Sequence, residues 1–76
     1  MDQSIRLLFG KNIKRFRKKR GFTQEELADK SGIDYKYIQK LEGKTPPAVK
    51  IDTIKRIASV FKVDPSKMLE DKSTRK

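Results

Sequence analysis

Three times in this chain an apolar residue stands directly before a helix-capping residue, and a second apolar residue follows four positions after the cap. The sets are Phe22-Thr23 with Leu27, Ile33-Asp34 with Ile38, and Val63-Asp64 with Met68. In each set the capping oxygen can take a free amide of the first turn while the apolar pair clasps across it. Each therefore fixes where a helix starts and how the chain approaches it. Thr23 is reinforced by Glu26 at the third helical position, the capping-box spacing, and Pro65 stands where a missing N–H is tolerated. Gly32 and Gly43 close the first two helices, which run over about residues 24–31 and 35–42. Two short capped helices joined by a tight turn form a helix-turn-helix layout.

The rest of the chain keeps the helical period. Ile5, Phe9, Ile13 and Phe16 recur at intervals of four, four and three, and Gly21 ends this stretch after Arg17-Lys18-Lys19-Arg20. Beyond a loop marked by Pro46-Pro47, one stripe holds Ile51, Ile54, Ile57, Ala58 and Phe61, with Lys50 and Asp52 both plausible as its cap. No stretch alternates with a period of two for more than a few residues. The expected fold is all-α, with five helices in one domain over residues 1–71 and a basic, disordered tail over 72–76. A chain of 76 residues has room for one small core.

Composition narrows the chemistry. With no Cys, His or Trp, the chain has no disulfide, no cysteine nucleophile, no usual zinc site and no common general base. No catalytic constellation, metal site, cofactor or small-molecule ligand is expected. The longest apolar run is Leu7-Leu8-Phe9, which excludes a membrane span, and a cytoplasmic location is the default expectation. The net charge of +10 points to a polyanion, most commonly nucleic acid. The charge is uneven. Residues 1–22 hold eight basic and one acidic side chain, residues 23–44 four and five, and residues 45–76 eight and four.

In a helix-turn-helix, the second helix enters the major groove and its outer residues touch base edges. With Ile38 and Leu41 turned inward, Tyr35, Lys36, Gln39 and Lys40 face outward. Lys can donate to guanine, Gln can pair with adenine in bidentate fashion, and Tyr can meet a thymine methyl or a phosphate. Gln24, behind its cap Thr23, opens the preceding helix where free amides offer a phosphate site. Arg17 and Glu42 each end a helix beside a core residue and are placed to form a partly buried ion pair, orienting the recognition helix. On that reading Arg17→Leu leaves folding nearly intact and harms binding.

The run Phe9-Gly10, Ile13, Phe16-Arg17, Gly21-Phe22-Thr23-Gln24-Glu25-Glu26-Leu27-Ala28, Gly32-Ile33, Tyr37-Ile38, Leu41-Glu42 and Gly43-Lys44 resembles the Cro/repressor (Xre-type) helix-turn-helix family. Thr53-Ile54, Ile57-Ala58, Phe61, Val63, Pro65 and Leu69 continue the likeness, which covers roughly residues 7–70. The resemblance implies the five-helix lambda-repressor-like fold. It implies phosphate and in some members base contact by Gln24, base reading by Tyr35, Lys36, Gln39 and Lys40, a buried Arg17–Glu42 pair, and loop phosphate contacts by Lys44 and Thr45. It also implies a homodimer on a palindromic operator. The sequence departs from the family where Glu42 runs straight into Gly43, where the loop carries Thr45-Pro46-Pro47-Ala48-Val49, and where Lys62 replaces a frequent Gly.

The leading expectation is a transcriptional regulator that binds double-stranded DNA, most commonly as a repressor or controller protein. The alternative is a basic helical module whose basic face binds an acidic partner or an anionic membrane surface, with Val60–Phe61 and Met68–Leu69 as its docking patch. RNA binding fits poorly, because the four Phe are needed for the core and only two Tyr remain as stacking platforms.

Overall fold

The computed structural model describes residues 3–71. Four α-helices follow one another: α1 (Gln3–Arg20), α2 (Gln24–Ser31), α3 (Tyr35–Leu41) and α4 (Ile51–Phe61), and a 3-10 helix closes the chain at Pro65–Leu69. The three caps work as side-chain acceptors. Thr23 Oγ accepts from the Glu26 amide at 3.0 Å while the Glu26 carboxylate takes the Thr23 amide at 2.8 Å. Asp34 accepts from the Lys36 amide at 3.1 Å, and Asp64 from the Ser66 amide at 3.3 Å. Lys50 begins α4 without a side-chain cap, and Asp52 supplies negative charge to the first turn.

The core is built from every helix. Phe9 and Ile13 of α1, Leu27 of α2, Ile38 and Leu41 of α3, and Ile57 and Phe61 of α4 are fully buried, with Met68 of the 3-10 helix. Phe16 and Phe22 stack on Phe61 with centroids 5.5 Å and 6.2 Å away. Three sequence expectations change here. Phe61 and Met68 are sealed inside, which leaves only the half-buried Val60 and Leu69 of the docking patch in the interaction-module reading. Ile5 is 36% and Ile51 82% exposed, because each opens its apolar stripe beyond the reach of the core.

The expected fifth helix is the third change: it is a 3-10 helix, so the α-helices number four. A buried amide of α1 holds its C-terminal end. Asn12, 3% exposed, donates from Nδ2 to the carbonyls of Met68 at 2.7 Å and Glu70 at 3.0 Å. Those oxygens are bound to α1, and the chain leaves in extended conformation at Glu70. The expected tail, 72–76, lies outside the described residues.

At the end of α4, Lys62 holds a left-handed conformation (φ 57°), and its amide reaches back to Ala58 and Ser59. A non-Gly residue there costs about 1–2 kcal/mol, partly offset because Gly frees the unfolded chain. Lys62→Gly is expected to stabilise the fold by about 0.5–1 kcal/mol, raising the melting temperature. A lower melting temperature would show that the Lys side chain holds the turn.

Candidate nucleic-acid interface

α2 and α3 meet across Gly32 and Ile33. Gly32 adopts φ 72° and donates its amide to Ala28, and the Ile33 amide bonds the same carbonyl. The turn needs no large side chain there, and α3 starts again at once on Asp34.

The orientation of α3 is fixed at its C-terminal end. The Arg17 guanidinium meets the Glu42 carboxylate in a two-armed grip, Nε to Oε2 and Nη2 to Oε1, each 2.9 Å. Its remaining arm donates to the Phe22 carbonyl at 2.8 Å. Gln24 joins the cluster, donating from Nε2 to Glu42 Oε1 at 3.2 Å. The Glu42 side chain is 4% and that of Arg17 11% exposed. Hydrogen bonding to Glu42 lifts the Arg17 guanidinium above its ordinary pKa, burial opposes the rise, and the carboxylate's charge adds to it. One carboxylate thus ties α1, the start of α2 and the end of α3 together.

At this end α1 and α3 also come close together. A Cβ on Gly10 would stand 2.0 Å from the Leu41 carbonyl oxygen, so only glycine lets α1 take the last turn of α3 at this distance.

Tyr35, Lys36, Gln39 and Lys40 all lie exposed on one face of α3. Gln39 Nε2 donates to the Tyr35 hydroxyl at 3.2 Å, so these two side chains act as a unit. Its second N–H and its carbonyl oxygen remain for a partner. Thr23 uses one oxygen lone pair for the cap and keeps its own O–H to donate. Gln24 is half-buried rather than free, with one N–H committed to Glu42. Lys44 is exposed past the helix end, at the head of a loop that is pinned rather than loose. Pro46 is buried, Val49 packs on the core, and the Tyr37 hydroxyl donates to the Ala48 carbonyl at 3.0 Å.

Sequence reasoning missed the place of Gln24 in the Glu42 cluster, and it missed Asn12. The second had a signal: Asn12 falls three residues after Phe9, on the stripe that faces the core.

A family model described as helix-turn-helix matches residues 13–68, most of the chain. The chain belongs to the Xre-type helix-turn-helix family. Among family relatives, it is 28% identical over 65 residues to the HTH-type transcriptional regulator SinR of Bacillus subtilis (strain 168). That match takes in 86% of this chain and 59% of SinR, so the chain spans little more than half the length of this curated relative. SinR of Bacillus licheniformis matches with the same identity and coverage. Among solved structures, a hypothetical transcription factor, NHTF from Neisseria, superposes with a TM-score of 0.85 at 26% identity, covering 96% of this chain and 84% of its own. The restriction-modification controller protein C.AhdI from Aeromonas hydrophila gives 0.77 at 27% identity, covering 83% and 94%. No described helix of this family member is long and apolar enough to cross a membrane.

Proposed function

We propose that this chain is a sequence-specific, double-stranded DNA-binding transcriptional regulator that binds a palindromic operator as a homodimer. One α3 per half-site lies in the major groove, with half-site centres about 34–36 Å apart. The observation that carries the reading is a polar face, Tyr35, Lys36, Gln39 and Lys40, on a short helix whose far end is locked to α1 and α2 through Glu42. A helix that presents hydrogen-bonding groups to base edges must hold its angle, and this one is held by a buried charge-assisted grip. Thr23, Gln24 and Lys44 supply backbone contacts at the two ends of the motif, where phosphates flank the groove. The relatives named as transcriptional regulators and as a controller protein support repression or promoter control as the outcome.

Selection of bound duplexes from a random pool at about 0.15 M salt, with the mass of the complex from light scattering, tests the reading. An inverted repeat carrying two chains is expected; binding without any recovered motif would overturn it. On the recovered operator, Gln39→Ala is expected to cost about 1–3 kcal/mol and to relax the preference at one base position per half-site. Equal weakening on cognate and random DNA would remove Gln39 from base reading. Lys44→Ala is expected to do what Gln39→Ala does not. It weakens all sequences alike and lowers the salt slope by about one.

A further inference from the structure

The helix-turn-helix pair brings no net positive charge: residues 23–44 hold four basic and five acidic side chains. Non-specific affinity for DNA comes almost entirely from cations that displace counterions from phosphates, so most of those cations must stand elsewhere. Three of the eight basic side chains of α1 are committed. Arg17 is taken by Glu42 and Phe22, Arg20 donates to the Phe61 carbonyl, and Arg15 bonds Asn12 and lies over the Phe16 ring. Lys11, Lys14 and Lys18 are different. All three are exposed, and among the described residues no carboxylate lies within ion-pair distance of them.

Their spacing of three and four puts them on one stripe of α1. The structure shows which way the stripe faces: Lys11 and Lys14 line a groove with Leu7, Glu42, Gly43 and Asp71, at the C-terminal end of the recognition helix. Of the two acids there, Glu42 is already neutralised by Arg17. Lys36, Lys40 and Lys44 recur at intervals of four along and beyond α3, so Lys44 directly follows the Gly43 that lines this groove. Two rows of lysines thus flank one end of the motif.

We propose that Lys11, Lys14 and Lys18 form a second contact surface for the DNA phosphate backbone, outside the base pairs that α3 reads. The surface rests on the DNA-binding reading above and adds to it. The α2–α3 pair supplies sequence preference with little net charge, and α1 supplies sequence-independent affinity and steering. The division explains why most of the chain's excess charge is concentrated before the motif begins.

The test compares two charge-matched triple variants in the full chain. One is Lys11→Gln/Lys14→Gln/Lys18→Gln. The other, Lys30→Gln/Lys55→Gln/Arg56→Gln, removes three cations that line a groove between α2 and α4. Binding to operator and to random duplex is measured across about 0.05–0.3 M salt, with thermal melts to confirm folding and hydroxyl-radical footprints on the operator. The α1 variant is expected to lose about two to three units of salt slope on both DNAs, the control less than one, with the cognate-to-random ratio unchanged. Backbone protection outside each half-site disappears in the α1 variant alone, and Lys→Arg at the same three positions restores it. Equal slope losses in the two triples would reduce the effect to net charge and overturn the proposal, as would an unchanged slope in the first. If the parent chain selects no motif, the operator reading fails, while the slopes on random duplex still decide this one.

Discussion

Arg17→Leu is expected to remove about 3–5 kcal/mol of stability, enough to lower the melting temperature of a domain this small by about 12 °C or more. The sequence alone suggests the opposite, a nearly intact fold. What reverses it is the depth of the pair. With Arg17 gone, the Glu42 carboxylate stays buried, its side chain 4% exposed, with the Gln24 amide at 3.2 Å as its remaining partner. An uncompensated buried charge costs more than the intact pair contributes, so the singles and the double should diverge. Arg17→Leu/Glu42→Leu is expected to recover most of the loss, because apolar side chains of similar volume often replace a buried ion pair with little penalty. Circular-dichroism melts of parent, both singles and the double complete the cycle. If Arg17→Leu melts within about 2 °C of the parent, Glu42 has found water and the pair is peripheral. The double variant then carries a second expectation: folded, but with α3 no longer gripped, it should bind the operator more weakly than its stability predicts.

The residues involved show why some features were legible in the sequence and others were not. The three staples depend on atoms within one turn of each other, so residue type and spacing determine them, and Thr23, Asp34 and Asp64 all accept the expected amide. Contacts between distant segments leave no such local trace. The anchoring of the Pro65–Leu69 segment to α1 depends on Asn12, 56 residues before the carbonyl it captures at Met68. Gln24 reads as an outward-pointing amide until Glu42, 18 residues on, is found beside it. Lys62 reads as a misplaced surface residue, and the structure gives its cost in backbone terms, a left-handed φ at the end of α4. Pairing Arg17 with Glu42 was within reach because each follows a core residue at a helix end; the degree of burial was not, since it depends on how near α1 and α3 come.

That approach makes Gly10→Ala the substitution with the least tolerance. Helix propensity favours Ala over Gly in a helix interior by about 0.5–1 kcal/mol, so on local grounds the change should stabilise α1. The structure predicts a loss of about 3 kcal/mol or more instead. The added Cβ would stand 2.0 Å from the Leu41 oxygen, 3.0 Å from the Leu41 carbonyl carbon and 3.4 Å from the Glu42 Cα. All three atoms are backbone, so no rotamer change relieves the overlap; α3 has to move off α1. The movement would also stretch the 2.9 Å bonds between Arg17 and Glu42, so the two defects should reinforce each other rather than add independently. Gly43→Ala is the matched comparison: its Cβ would meet the Gln39 and Lys40 carbonyl oxygens at 3.4 Å, a tight contact that small shifts can absorb, and its cost is expected to stay within about 1 kcal/mol. Urea unfolding of both variants gives the two free energies directly. A Gly10→Ala protein as stable as the parent would mean that α3 can sit farther from α1 at no cost. The recognition helix would then owe its angle to the α2 turn and not to the α1 contact.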